Sequence, residues 1–163
     1  MTDLRVSAIA AKTGGSTKVL YPVEFKKLHP GFKRPERNGA AYDLFLPEDI
    51  VIHAGETVKI RLGFACRLPE GYHALINMRS STWGKWGLCL TNQTGIIDNS
   101  YCGDEDEWIL SVYRPSSFKD YPEIIPAGTR LAQFRLEEDL IGLAFIEVQS
   151  LGKSRGGFGS TGV

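Results

Sequence analysis

Thr57-Val58-Lys59-Ile60-Arg61-Leu62 alternates side chains that favour water with side chains that avoid it. Successive side chains of an extended strand point to opposite faces, so a period of two reads as a half-buried strand. Comparable short runs occupy residues 18–25, 49–53, 73–77, 108–113 and 144–148. They are rich in β-branched and aromatic residues, which suit a pleated surface. Eighteen glycines and eight prolines punctuate the chain throughout. No long segment combines helical apolar spacing with helix caps, and a single short helix is expected over residues 80–87. Many short strands without intervening helices indicate an all-β protein: a sandwich, a jelly roll or a small barrel.

The chain's 163 residues suit one domain. At 42% hydrophobic and 23% charged it can build a core. Nineteen Lys+Arg balance nineteen Asp+Glu, which excludes a broadly basic nucleic-acid-coating surface. No apolar run approaches the roughly 20 residues that span a bilayer. Asp3, Arg5 and Lys12 interrupt any signal-peptide core, and the three cysteines (Cys66, Cys89, Cys102) form no CxxC pair. A reduced, cytoplasmic protein is expected. Residues 1–17 read as a loose arm, 18–149 as the β domain, and 150–163 as a glycine-rich tail that has too few apolar side chains to fold alone.

Metal and nucleophile signals are weak. His29, His53 and His73 are dispersed, with no HExxH motif or Cys/His cluster. Cys66 and Cys89 sit in apolar patterns and read as core thiols. The acidic run at residues 103–107 lacks calcium-loop spacing and reads as a solvated turn. The basic residues Lys26, Lys27, Lys33, Arg34 and Arg37 read as an exposed loop.

Three stretches carry more information. Arg79-Ser80-Ser81 follows a strand, placing a guanidinium and two hydroxyls at its end, a donor set suited to phosphate oxygens. Residues 95–101, Gly-Ile-Ile-Asp-Asn-Ser-Tyr, read as a strand running into a tight turn that presents Asp98 and Tyr101. In the tail, successive glycines can wrap a polyphosphate, Ser160 and Thr161 add hydroxyls, and Phe158 offers a face for stacking a base.

Five segments in order, Ala40-Ala41-Tyr42-Asp43-Leu44, Arg79-Ser80-Ser81, residues 95–101, Gly128-Thr129-Arg130-Leu131-Ala132-Gln133 and Gly156-Gly157-Phe158-Gly159-Ser160-Thr161-Gly162, resemble the trimeric all-β dUTPase family. The resemblance implies a jelly-roll-like β-barrel assembled as a homotrimer, with three sites at subunit interfaces. It implies hydrolysis of dUTP to dUMP and pyrophosphate, with Asp98 as general base toward an attacking water. It also implies Mg²⁺ carried on the triphosphate rather than in a protein cage, with Asp43 near the metal and sugar or in a structural role. Arg79, Ser80, Ser81 and Gln133 are expected at the phosphates, and Asn92, Gly95 and Ile97 at the uracil edge, read by a hairpin. Tyr101 is expected beneath the deoxyribose, and Arg155, Phe158, Gly159 and Ser160 in a lid formed by the tail.

Met78 stands where the family usually has Pro, and Ser81 where Gly is commoner. Lys153 takes the usual Arg place, and Arg155, two residues on, is favoured at the γ-phosphate for its planar fork. The dCTP deaminases share the fold and an Arg-Ser-Ser segment, but the terminal Gly-Gly-Phe-Gly-Ser-Thr-Gly and the Asn92, Asp98, Tyr101 arrangement weigh against that reading. A regulatory protein partner, docking on the arm or the acidic loop, is the remaining alternative. No membrane or nucleic-acid partner is expected.

Overall fold

The computed structural model describes residues 9–13, 16–118, 123–139 and 142–153. In chain order the strands are β1 (Ile9–Thr13), β2 (Ser16–Leu20), β3 (Glu24–Lys27), β4 (Glu36–Asn38), β5 (Ala41–Phe45), β6 (Ile50–Ile52), β7 (Thr57–Arg67) and β8 (Tyr72–Met78). One short helix among the described residues, α1 (Ser80–Trp86), follows. Then come β9 (Cys89–Leu90), β10 (Gly95–Ile97), β11 (Glu107–Tyr113), β12 (Glu123–Ile125) and β13 (Arg130–Glu138). The described residues form the expected all-β fold with one short helix near residues 80–87.

A five-stranded sheet runs β10-β8-β13-β5-β4, and a four-stranded sheet runs β3-β7-β11-β9. The pairs β12-β6 and β1-β2 complete the fold, and every pairing is antiparallel. The inner faces of the two larger sheets meet at Trp108. Its ring lies 5.1 Å from Phe64 on its own sheet and 5.1 Å, edge-on, from Phe134 on the other. Leu44, Ile60, Leu62, Ile76 and Leu110 close around it, each almost completely buried. Burying one such side chain stabilises the fold by about 1.5–3 kcal/mol, which is why the alternating pattern dictates the layering.

The residue 57–62 pattern continues further than the sequence implied, because β7 runs to Arg67 through Gly63 at φ +79. A two-residue step on β11, from Glu107 to Ile109, faces a four-residue step on β7, from Ala65 to Arg61. Glu107 compensates for this bulge by accepting the Gly63 N–H at 2.7 Å.

Three expectations need correction. The strand expected over 18–25 divides into β2 and β3 around Pro22, which has no N–H to give a ladder. The arm expected to be loose contains β1, paired with β2 from Ile9↔Leu20 to Thr13↔Ser16. Residues 144–148 form no strand: residues 142–150 have no ladder partner, and Phe145 and Ile146 are 95% and 80% exposed. Their pattern is right for a strand, but no strand among the described residues pairs with them. No helix among the described residues is long and apolar enough to cross a membrane.

Candidate active site

The outer face of the five-stranded sheet positions the first group of candidate residues. Gln133 on β13 is opposite Asp43 on β5 and Asn77 on β8, so the three side chains share one face about 5 Å apart. Asp43 is 1% exposed, and its charge is matched within the protein. Arg79 Nε lies 2.9 Å from Oδ1, Arg130 Nη1 lies 3.2 Å from Oδ2, and Asn38 Nδ2 donates to Oδ2 at 3.1 Å. Each guanidinium carries five N–H donors, so both keep donors to spare for a further anion. The start of α1 is pinned to β13, with Arg79 N–H and the Thr82 hydroxyl both donating to the Leu131 carbonyl, at 3.2 and 2.7 Å. Ser80 and Ser81 are exposed and make no capping bond at the helix start. This end of the sheet therefore offers guanidinium N–H groups, two hydroxyls and the Gln133 amide.

The second group lies at the other end of β8. Ile97 pairs with Ala74, so Asp98 emerges level with His73, whereas Arg79 follows Met78. Five residues at about 3.3 Å each put Ala74 and Arg79 about 17 Å apart along the strand. The single chain thus brings Arg79, Ser80, Ser81 and Gln133 together but leaves Asp98 and Tyr101 at the opposite end of β8. Residues 95–101 are the expected strand running into a tight turn, but the strand pairs with β8 rather than forming a hairpin within the stretch. Gly95–Ile97 is an edge strand on β8, followed by a turn closed by Tyr101 N–H to Asp98 C=O at 3.3 Å.

Local chemistry explains the geometry of this turn. A Cβ at Gly95 would meet Ile76 Cβ at 3.2 Å, so glycine lets β10 approach β8. Ile97 packs against the core, which leaves its backbone, not its side chain, to face a ligand. As an edge strand, β10 has one row of N–H and C=O groups with no strand beside it in the described chain. Asn92 is exposed in a tight turn, where its carbonyl accepts the Thr94 N–H at 2.6 Å. Asn99 Nδ2 grips the Leu68 and Pro69 carbonyls at 2.9 and 2.8 Å. Tyr101 is 37% exposed and donates its hydroxyl to the Glu107 carbonyl at 3.0 Å.

Asp98 is exposed. Its Oδ1 accepts the Ser100 hydroxyl at 2.5 Å and the Ser100 N–H at 2.8 Å. The hydroxyl first, then the N–H, holds the carboxyl below its usual range. Oδ2 has no hydrogen bond among the described residues. The sequence reading did not single out the roles of Ser100, Asn99, Asn77 and Arg130. Short polar residues beside a turn Asp were the available signal for the first two. Glu107 was likewise missed: grouped with a solvated acidic run, it is 4% exposed and paired with Arg61. Arg155, Phe158, Gly159 and Ser160 lie outside the described residues.

Cysteine chemistry stays apart from these groups. Cys66 is buried, and its thiol is pushed up to about 12 by desolvation. Cys89, expected in the core, is half-buried with its Sγ 3.6 Å from the Tyr113 carbonyl. No group of three or more His, Cys, Asp or Glu residues among those described could hold a metal ion.

Two antiparallel sheets packed face to face define a β-sandwich-type protein, which here carries phosphate-type donors at one end of β8 and an open carboxylate at the other. The dUTPase family model matches residues 30–162. The chain is 42% identical to the SPbeta prophage-derived deoxyuridine 5′-triphosphate nucleotidohydrolase of Bacillus subtilis, over 74% of this chain and 82% of that protein. It is 34% identical to the deoxyuridine 5′-triphosphate nucleotidohydrolase of Thermobifida fusca, over 86% and 78%. Its fold is similar to that of Staphylococcus bacteriophage 80alpha dUTPase with dUPNHPP, with a TM-score of 0.68 and 24% identity over 87% of this chain and 99% of that one. The chain belongs to the dUTPase family.

Proposed function

We propose that the protein hydrolyses dUTP to dUMP and pyrophosphate as a homotrimer in which different chains supply the two half-sites. The observation that carries this reading is Asp98, an exposed carboxylate at the end of an edge strand with one oxygen held and the other open. The unpaired backbone row of β10 suits the N–H and C=O edge of uracil. Asn92 borders that edge, and a thymine methyl would be crowded at Gly95 and Ile97. Tyr101, its hydroxyl tied to Glu107, sets a fixed floor beneath the sugar that leaves no room for a 2′-hydroxyl.

The phosphates would extend to Arg79, Ser80, Ser81 and Gln133 of a neighbouring chain, whose spare donors offset the charge that grows on the leaving pyrophosphate. Mg²⁺ carried on the triphosphate would supply Lewis-acid polarisation of the phosphoryl oxygens. Asp43 is not its ligand in this reading, because both of its oxygens already face guanidinium groups. Residues 150–163 serve as the lid, with Phe158 on the base and Arg155, Gly159 and Ser160 at the phosphates. Residues 18–149 serve as the β domain, with 1–17 as its arm. Assembly is supported by the 17 Å split and by the apolar side chains of residues 143–151, of which Leu151 is 96% exposed. Relatives that are nucleotidohydrolases leave the deaminase reading without support.

The test is pyrophosphate release in Mg²⁺ buffer from dUTP, dCTP, dTTP and UTP, with ammonia release followed for dCTP. The expected result is turnover of dUTP at least about a hundredfold above the others, since a site built to pair a polar edge strongly rejects mismatched edges. Ammonia from dCTP with dUTP left intact would refute the proposal.

A further inference from the structure

We propose that Ser100 is a positioning residue for Asp98: it holds Oδ1 with both of its donors and leaves Oδ2 as the oxygen that takes the proton from the attacking water. This rests on the hydrolytic reading above.

Two bonds from one residue carry the argument. The Ser100 N–H and hydroxyl, at 2.8 and 2.5 Å, both end on Oδ1. A carboxylate on an exposed turn would otherwise rotate freely about its last torsion, presenting either oxygen in a broad range of directions. Two donors on one oxygen remove that freedom. The turn itself is immobilised by other residues, since Asn99 is bonded to Leu68 and Pro69 and Tyr101 to Glu107. Ser100 is therefore not needed to hold the turn in place, and its hydroxyl has no bonded partner other than the Asp98 carboxylate among the described residues. In the step it prepares, a water oxygen bonds to the α-phosphorus and one water proton moves to Oδ2. The bond from that phosphorus to the bridging oxygen breaks, and pyrophosphate leaves with its electron pair.

The same two donors favour the ionised carboxylate, so Asp98 remains a base to lower pH than an ordinary Asp. Other titratable groups near this end of the sheet are His73 with its partner Asp139 at 2.6 Å, Glu137 opposite His73 on β13, and Glu70 in the loop that Asn99 grips. The downward shift traces first to the Ser100 hydroxyl, then to the Ser100 N–H, with smaller help from the Tyr101 and Asp98 backbone N–H groups, rather than to these charges.

Two readouts test the proposal in the full-length protein. The first is carbon-detected NMR titration of the Asp98 carboxyl without nucleotide, which does not depend on activity. Its midpoint is expected below the ordinary Asp value, to rise in Ser100→Ala, to return in Ser100→Thr, and to stay in place in His73→Gln. The second is dUTP turnover, where Ser100→Ala is expected to lower kcat about tenfold with KM within about twofold, and to move the acid limb of kcat to higher pH. Ser100→Ala keeps the backbone N–H, so its melting temperature and trimer content report whether the fold is intact. An unmoved NMR midpoint in a folded Ser100→Ala protein would overturn the positioning role. Full turnover in Asp98→Asn would instead remove the general base and leave the NMR result to be judged on its own.

Discussion

The two aspartates at opposite ends of β8 have opposite environments. Asp43 is buried, and its oxygens face two arginines and an asparagine amide. Asp98 is exposed, and among the described residues its two short side-chain bonds both come from Ser100, two residues away. A buried carboxylate must have its charge met inside the protein, because desolvation is not otherwise offset. An exposed one needs no partner, and any donor aimed at it serves orientation and ionisation. The saturated aspartate holds two arginines in place, while the open one is available for chemistry.

This contrast can be broken experimentally. Asp98→Asn is expected to reduce dUTP turnover about a thousandfold with an unchanged melting temperature, measured by pyrophosphate release and calorimetry. If the half-sites belong to different chains, co-refolding Asp98→Asn with Arg79→Ala, each inactive alone, should restore about a quarter of wild-type activity. Failure to complement would place both halves in one chain. Asp43→Ala should act on stability, destabilising the fold by about 3–5 kcal/mol because two guanidinium groups lose their buried partner. A chemical denaturation curve like that of the wild type would make Asp43 a functional residue instead. The smallest effect is expected at the sugar, where Tyr101→Ala should relax dUTP/UTP selectivity by about tenfold, read as the ratio of kcat/KM values.

Much of this was legible in advance, and the failures have physical causes. The alternation at residues 57–62 forecast a half-buried strand because the period-two pattern and the burial of one face are one fact seen twice. The same logic misplaced residues 144–148, because apolar alternation calls for a strand without naming the edge that receives it. Among the candidate residues, Arg79 and Ser80 stood out by chemical type, and Asp98 by its place in a segment that resembles the family's. Arg130 could not be assigned to Asp43, since that contact joins residues 87 apart through a sheet register. Glu107 looked like one more acid in a polar run, yet it closes a bulge on a strand that begins 50 residues earlier. Local patterns carry no information about such pairings.

By itself the sequence determined the all-β class, the single short helix and the types of group offered to a ligand, because these depend on side-chain period and functional-group chemistry. Tertiary structure alone decided that Asp43 is a buried counter-ion and that Asp98 has one oxygen held and one open. It also put the phosphate-type donors and the open carboxylate at opposite ends of one strand. Burial and register come from pairing distant segments, and the free energy of those pairings belongs to the whole fold rather than to any stretch of chain.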